Sequence, residues 1–299
     1  MVSQRVNAVA TGRYAFMLEN PELGLEDFRI GFDRMLPDPP ADVVVREATV
    51  GGVSGRWIEV PESGPTTLLH MHAGGFMIGS SYSHREMASR IARAAGARVF
   101  LLDYRLAPEN PYPAALDDVL AAYRGLLAEG VSPADLVISG DSAGGGLAAA
   151  ALIALRDAGD PLPAAGVLLS PWADLTLTGD SMIAHESIDP LVRKDLLEGM
   201  RQAYAAEADK ADVRLSAVFA DYTGIPPLLV QVGSTEVLLD DSVRIVDRAL
   251  AAGVRAELQV GYEMVHVYQM FADELPEAQA AIERIGTFLR SLAPVPTGA

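Results

Sequence analysis

The chain has 299 residues, half of them apolar, and is long enough to bury roughly 75% of the surface that its unfolded form exposes. Its 40 acidic and 23 basic residues give a net charge of −17, which repels phosphate backbones and anionic membrane surfaces, so no nucleic acid is expected as a partner. The chain contains no cysteine, which excludes disulfides, thiolate nucleophiles and cysteine-ligated metal sites.

The start of the chain carries no pattern of a targeting segment. Residues 1–20 lack the basic, apolar and small-residue order of a signal peptide. The longest uncharged apolar stretch, residues 142–155, is too short to span a bilayer. We therefore expect a cytoplasmic protein with no membrane span.

The predicted elements alternate along most of the chain. Residues 1–42, called here the N-terminal segment, place aromatic and apolar side chains among charges and predict one or two amphipathic helices. Eight segments are typical of strands: 43–50, 56–60, 66–69, 99–104, 136–139, 166–170, 228–232 and 255–260. Five segments are typical of helices: 85–95, 114–128, 145–158, 240–252 and 276–292. The alternation predicts an α/β protein with a sheet buried on both faces, interrupted by an insertion at about 180–222, which is too long for an ordinary connection.

Adjacent glycines follow the third predicted strand, in the sequence Leu-His-Met-His-Ala-Gly-Gly-Phe at residues 69–76. Because glycine has no side chain, the N–H groups of Gly74 and Gly75 can turn toward a carbonyl oxygen. His72 begins this loop, and we expect it to hold the loop by hydrogen bonds. A two-histidine metal site formed with His70 is not expected.

A serine between small residues lies at the junction of the fifth predicted strand and the following helix. Residues 140–145 read Gly-Asp-Ser-Ala-Gly-Gly. Glycine at Gly140 and Gly144 permits a sharp turn that exposes the hydroxyl of Ser142, and the next helix directs its N-terminal dipole end at that hydroxyl. Ser142 is therefore the candidate nucleophile, with an ordinary glycine-rich turn as the alternative.

The histidine after the last predicted strand is the candidate base. Active sites of open α/β sheets lie beyond the carboxyl ends of the strands, and His266 lies just after such an end. It also follows Ser142 in the chain, as the order serine, acid, histidine requires. His84 and His185 lie in loop or helix regions, where we expect both to be solvated.

Three motifs occur in order along the chain: His-Ala-Gly-Gly-Phe at 72–76, Asp-Tyr-Arg-Leu-Ala-Pro-Glu at 103–109 and Gly-Asp-Ser-Ala-Gly-Gly at 140–145. Together they resemble the hormone-sensitive lipase family of α/β-hydrolase esterases, over about residues 43–289. The family usually has glycine where this chain has Ala73. Because Gly74 and Gly75 are kept, we interpret that change as tolerated.

The resemblance implies the α/β-hydrolase fold, with an eight-stranded, mostly parallel sheet flanked by helices. It implies a single domain, residues 1–299, whose N-terminal segment and insertion form a helical cap. An N-terminal helix that merely covers a sheet edge is the alternative. It also implies an oxyanion hole formed by the N–H groups of Gly74, Gly75 and Ala143.

The family pattern places the acid three residues after Gly233, at Glu236. This would complete a triad of Ser142, Glu236 and His266. Asp240 and Asp241 are rivals that we expect to begin the next helix, where acidic residues favour the helix dipole. Asp189 mimics an acid motif in Asp-Pro-Leu, but it lies in the insertion and precedes the seventh strand.

The expected activity is that of a serine carboxylesterase acting on short-chain esters, with a small-molecule ester as partner, no cofactor or metal, and a possible homodimer. Alternatives are a hydrolase of another acyl bond, such as an amide, and a non-catalytic small-ligand receptor; the presence of His266 argues against the receptor.

Val267 stands where many relatives have glycine, which predicts a narrower pocket. Six apolar residues are expected near the site, some of them only as core: Phe76, Trp172, Val237, Leu238, Val267 and Tyr268.

Overall fold

Eight strands form one sheet in the computed structural model, which describes residues 3–20 and 22–292. Residues 1–2, 21 and 293–299 of the predicted domain lie outside this description. The strands are β1 (Val44–Val50), β2 (Val53–Glu59), β3 (Thr67–Met71), β4 (Arg98–Leu102), β5 (Leu136–Asp141), β6 (Ala165–Leu169), β7 (Leu228–Gly233) and β8 (Ala256–Gly261). The helices are α1 (Gln4–Arg13), α2 (Ala15–Glu19), α3 (Leu25–Asp33), α4 (Arg85–Ala95), α5 (Ala114–Ala128), α6 (Ala143–Ala158), α7 (Ser181–Ala184), α8 (Lys194–Ala205), α9 (Leu239–Ala251) and α10 (Pro276–Arg290).

The strand order is β1-β2-β4-β3-β5-β6-β7-β8. β2 pairs antiparallel with both β1 and β4, whereas all pairings from β4 to β8 are parallel. This confirms the predicted eight-stranded, mostly parallel sheet. β2 begins at Val53, before the predicted residue 56, because Gly51 and Gly52 adopt positive φ angles of 59° and 84° and close a two-residue hairpin turn.

Both faces of the sheet are covered by apolar side chains, as the continuous apolar runs predict. Along β4, Phe100 and Leu102 join one buried cluster, while Val99 and Leu101 join the cluster on the opposite face. This division follows from the two-residue period of a strand. Helices on both faces therefore hold the sheet as a rigid support for the loops at its edge.

The N-terminal segment forms three helices rather than one or two, because Tyr14 leaves the helical conformation between α1 and α2. The insertion contains α7 and α8, as well as a single 3-10 turn at Ala217–Phe219. No helix within residues 3–20 and 22–292 has the length and apolar character needed to cross a membrane.

Candidate active site

Ser142 lies at a strained turn between β5 and α6. Its φ of 54° and ψ of −121° fall outside the regions that L residues ordinarily adopt. Backbone hydrogen bonds hold it there: its N–H donates to the Leu169 carbonyl at 2.9 Å, and its carbonyl accepts from Trp172 at 2.9 Å and Gly146 at 3.0 Å. These backbone hydrogen bonds thereby offset the conformational strain at Ser142, which is about 1–3 kcal/mol.

Glycine is required on both sides of this turn by close backbone approach. A Cβ atom at Gly140 would lie 2.2 Å from the carbonyl oxygen of Gly144. A Cβ at Gly144 would lie 2.1 Å from the carbonyl oxygen of Met71, in the adjacent strand β3. Since backbone atoms cannot move aside as a flexible side chain can, the predicted steric reason for both glycines is confirmed.

Ser142, His266 and Glu236 meet in one hydrogen-bonded series. His266 Nε2 lies 2.8 Å from Ser142 Oγ, and His266 Nδ1 lies 2.7 Å from Glu236 Oε2. A carboxylate only accepts, so Nδ1 carries the proton and leaves Nε2 free to accept from the serine hydroxyl. The three residues follow β5, β8 and β7, whose carboxyl ends lie together at one edge of the sheet.

Two further groups hold the Glu236 carboxylate. Ser170 Oγ donates to Glu236 Oε1 at 2.6 Å, and the Gly233 N–H donates to the same oxygen. Ser170 is fully buried and also accepts from the Val267 N–H at 3.1 Å. Sequence reasoning missed Ser170, although its position directly after β6 is a strand end of the kind that led to His266.

The electrostatic surroundings of His266 favour its charged form. Burial by itself lowers the pKa of this imidazole, but the charge and hydrogen bond of Glu236, with contributions from Asp189 and Asp141, raise the pKa above its ordinary value of 6.5. An imidazolium at this position is therefore stabilised by carboxylates on several loops.

The Gly74–Gly75 loop lies beside Ser142. Gly74 has a φ of 121° and Gly75 a φ of 59°, values that glycine adopts without strain. A Cβ at Gly74 would lie 2.0 Å from the carbonyl oxygen of Ile78. Ala143 is the first residue of α6, so the helix offers no acceptor for its N–H.

A buried histidine cluster supports this loop from behind. His70 Nε2 and His84 Nε2 lie 3.0 and 3.1 Å from the two carboxylate oxygens of Asp141, and the Ala73 nitrogen lies 3.2 Å from His84 Nε2. The predicted solvation of His84 is wrong, since the residue is fully buried. Burial by itself raises the pKa of Asp141, but His84 and His70 hold that pKa well below its usual range.

His72 holds the same loop without contacting Asp141. Its Nδ1–H donates to the Ala73 carbonyl at 2.7 Å, and its ring stacks on Tyr104, whose hydroxyl donates to the His72 carbonyl at 2.8 Å. Burial, together with His84, lowers the pKa of His72 to about 3, so this imidazole is neutral at physiological pH. Among the described residues, no group of three or more histidine, cysteine or carboxylate side chains is arranged so that it could hold a metal ion.

A cavity of about 500 Å³ opens onto Ser142 and His266. The N-terminal segment lines it with Tyr14, Met17, Leu18, Phe28 and Phe32, and the insertion lines it with Leu191, Val192, Arg193, Asp195, Leu196, Leu197 and Met200. Of the six apolar residues predicted near the site, Trp172 and Val267 line the cavity, whereas the other four belong to the buried clusters. Val267 has a φ of 46°, a conformation that favours glycine, and its side chain occupies part of the cavity wall.

The rival acids make other contacts. Asp240 and Asp241 lie in the first turn of α9, as predicted, and Asp241 accepts from the backbone of Ala173 and Asp174 at 2.8 and 2.9 Å. Burial, with the neighbouring charge of Asp174, raises the pKa of Asp241 to about 8. Asp189 is buried close to the Glu236 loop, where its carboxylate accepts hydrogen bonds from backbone N–H groups.

The predicted solvation of His185 is wrong: the residue is half-buried, and its Nδ1–H donates to the Glu236 carbonyl at 2.8 Å.

Known proteins match this chain closely in sequence and structure. A family profile for the alpha/beta hydrolase fold matches residues 68–270. An acetyl-hydrolase of Streptomyces hygroscopicus is 44% identical over 273 residues, which make up 89% of this chain and 90% of that protein. A crystal structure of an esterase from the bacterial hormone-sensitive lipase family superimposes with a TM-score of 0.94 and 44% identity, covering 98% of this chain and 100% of the other. The chain belongs to the hormone-sensitive lipase family.

Other members of the family are similar along most of their length. An esterase of Acinetobacter venetianus is 37% identical over 260 residues, which cover 87% of this chain and 86% of that protein. As a hormone-sensitive lipase family protein with the α/β-hydrolase fold, the chain is an esterase. The resemblance given by three short motifs is therefore confirmed along nearly the whole chain.

Proposed function

We propose that this esterase hydrolyses short-chain carboxylic esters through a triad of Ser142, His266 and Glu236 and an acyl-enzyme intermediate. The observation that carries the proposal is the hydrogen-bonded series of these three side chains, with distances of 2.8 and 2.7 Å, on the wall of an apolar cavity. A serine hydroxyl alone is a weak nucleophile, and a neighbouring imidazole oriented by a carboxylate is the arrangement that activates it.

Acylation begins when the Oγ of Ser142 attacks the ester carbonyl carbon and His266 Nε2 takes the hydroxyl proton. Glu236 stabilises the imidazolium that forms, which accords with the raised pKa of His266. The imidazolium then protonates the alkoxy oxygen as the bond between that oxygen and the acyl carbon breaks. A water molecule, deprotonated by His266, attacks the acyl-enzyme and releases the acid and the free serine.

The N–H groups of Gly74, Gly75 and Ala143 are proposed to bind the oxyanion of each tetrahedral intermediate. Gly74 and Gly75 line the same cavity as Ser142, and Ala143 directly follows the nucleophile. One such donor contributes about 3–4 kcal/mol to stabilising a transition state of this kind.

The substrate is proposed to be a small ester with an apolar acyl or alcohol group. The N-terminal segment and the insertion line the cavity of about 500 Å³ mainly with apolar side chains, and we interpret the two segments together as a cap. A similar protein is named an acetyl-hydrolase, and a structure with 40% identity was obtained after soaking with p-nitrophenyl butyrate. A cytoplasmic location and a homodimer stay predictions.

Hydrolysis of a series of p-nitrophenyl esters tests the proposal. We expect kcat/KM to be greatest for acyl chains of roughly two to six carbons, because the cavity is small and two segments line it over Ser142. Ser142→Ala should abolish hydrolysis, whereas Ser89→Ala, which changes a buried serine of α4, should retain it. A kcat/KM that rises beyond ten carbons would contradict the short-chain preference, and an active Ser142→Ala enzyme would contradict the nucleophile.

A further inference from the structure

The buried carboxylate of Asp189 connects the insertion to the loop that carries Glu236. Asp189 is 6% exposed and accepts three backbone hydrogen bonds. Its Oδ1 accepts from the N–H groups of Leu191 and Val192, both at 3.0 Å, and its Oδ2 accepts from the N–H of Val237 at 3.0 Å. Leu191 and Val192 line the cavity, so one side chain joins a cavity wall to the residue after the proposed acid.

The peptide bond between Glu236 and Val237 is held from both of its polar sides. Its carbonyl oxygen accepts from His185 Nδ1 at 2.8 Å and from the Leu239 N–H at 3.2 Å, and its N–H donates to Asp189 Oδ2 at 3.0 Å. Both side-chain partners, His185 and Asp189, come from the insertion, and Leu239 begins α9. The insertion therefore contributes to the orientation of this peptide unit, and with it to the direction in which the Glu236 side chain leaves the backbone.

Ser181 extends the same contact toward the first turn of α9. Its Oγ donates to the Val237 carbonyl at 2.7 Å, and its N–H donates to Asp240 Oδ2 at 2.8 Å. Ser181, His185 and Asp189 thus contact consecutive polar groups of one loop. A segment that only covered a pocket would need none of these directed contacts.

The charge of Asp189 also affects the pKa of the His266 imidazole. Burial is the largest single influence on the pKa of His266 and lowers it, but the carboxylates of Glu236, Asp189 and Asp141, in decreasing order of effect, together raise it. The pKa of Asp189 itself is raised above its ordinary value, because burial, with the neighbouring Glu236, outweighs His266 and the N–H groups of Val192 and Leu191, which lower it. Three N–H donors around one carboxyl group favour its anionic form.

We propose that Asp189 is a positioning residue for the proposed triad, holding the Glu236–Val237 peptide bond and placing a second negative charge behind His266. The inference rests on the proposed function, because it takes Glu236 as the acid and His266 as the base. It gives the insertion a part in catalysis beyond enclosing the substrate.

Asp189→Asn tests the inference, because asparagine has one acceptor oxygen where the carboxylate uses two. In either orientation of the amide, its NH₂ group faces a backbone N–H that the Asp189 carboxylate binds in the parent. Because both groups are donors, that hydrogen bond is lost. We expect kcat for p-nitrophenyl acetate to fall roughly 10- to 100-fold, the range that follows small misplacement of a catalytic group. The acid limb of the kcat/KM–pH profile should move to lower pH, because a charge that raises the pKa of His266 has been removed.

Asp180→Asn is the matched control, since it removes an exposed carboxylate from the same insertion. It should change neither kcat nor the pH profile. His185→Ala provides a second variant at a half-buried position, and it should lower kcat by about threefold through loss of the other contact to the same peptide bond. If Asp189→Asn does not fold, an unchanged kcat in His185→Ala would overturn the inference.

The outcomes separate this inference from the proposed function. If Asp189→Asn keeps the kcat and pH profile of the parent while Glu236→Gln is inactive, the positioning inference is overturned and the triad stands. If Asp189→Asn is inactive and Glu236→Gln retains activity, Asp189 is the acid itself, and the proposed triad is overturned.

Discussion

At the scale of single residues, Glu236 is fixed by groups from three neighbouring strand ends. Ser170 follows β6, Gly233 ends β7 and His266 follows β8, and all three donate to its carboxylate. Both carboxylate oxygens are thereby occupied. A neutral amide at this position could not accept all of these hydrogen bonds.

Glu236→Gln should therefore lower kcat by about 10³- to 10⁴-fold, because the imidazole loses its orienting charge and the control of its tautomer. Steady-state hydrolysis of p-nitrophenyl acetate measures the loss. Glu257→Gln, which changes an exposed carboxylate on β8, should have the parent's kcat. A Glu236→Gln enzyme within tenfold of the parent would show that the acid lies elsewhere.

The sequence determined some of these residues and not others. Ser142 could be predicted because a strained turn requires glycine at Gly140 and Gly144, and this requirement is visible locally. Glu236 needed the family pattern, since several carboxylates follow the seventh strand. The contacts of Ser170 and His84 depend on which distant loops meet at the sheet edge, and no local pattern reports that.

At the scale of elements, the N-terminal segment is joined to the sheet domain by polar contacts as well as by its apolar face. Arg29 on α3 donates to the carbonyls of Met77 and Ala107 at 2.9 and 3.1 Å and pairs with Glu109 at 2.7 Å. Ser80 Oγ donates to Asp33 at 2.6 Å. Amphipathic helices were predicted here, but their number and docking depend on these distant partners.

Deletion of residues 1–35 should lower kcat/KM for every ester and promote aggregation, because it removes a wall of the cavity and bares its apolar partner face. Kinetics and light scattering measure the two effects. Phe16→Ala is the control, because Phe16 is 46% exposed and, unlike Phe28 and Phe32, lies outside the cavity lining. A truncated chain that stays monodisperse with unchanged kcat/KM would show that this segment is not a cap.

At the scale of the whole molecule, the sheet assembles the site by bringing together the carboxyl ends of β3, β5, β6, β7 and β8. The alternation of strands and helices was sufficient to predict a sheet buried on both faces, because apolar runs of strand length are buried whichever loops connect them. The course of the insertion was not predictable: Ser181, His185 and Asp189 recur every four residues, but that spacing does not indicate that their partner is the distant Glu236 loop.

The carboxylates around His266, those of Glu236, Asp189 and Asp141, determine the expected pH dependence of the esterase. His266 must be neutral to accept the serine proton, and its pKa is raised above 6.5. Activity should therefore be lost as pH falls through that raised value, with a midpoint of the acid limb of kcat/KM above pH 6.5. A pH profile with a non-ionising ester measures it, and a midpoint below pH 6 would contradict the assigned surroundings of His266.

The most direct measurement is peptide mass mapping after reaction with a serine-directed phosphonate. We expect one phosphonyl group per chain, located on Ser142, with loss of ester hydrolysis in proportion to labelling. His266→Ala should label far more slowly, because its serine lacks the base. Complete labelling of another residue, or full activity in a chain phosphonylated at Ser142, would contradict the account.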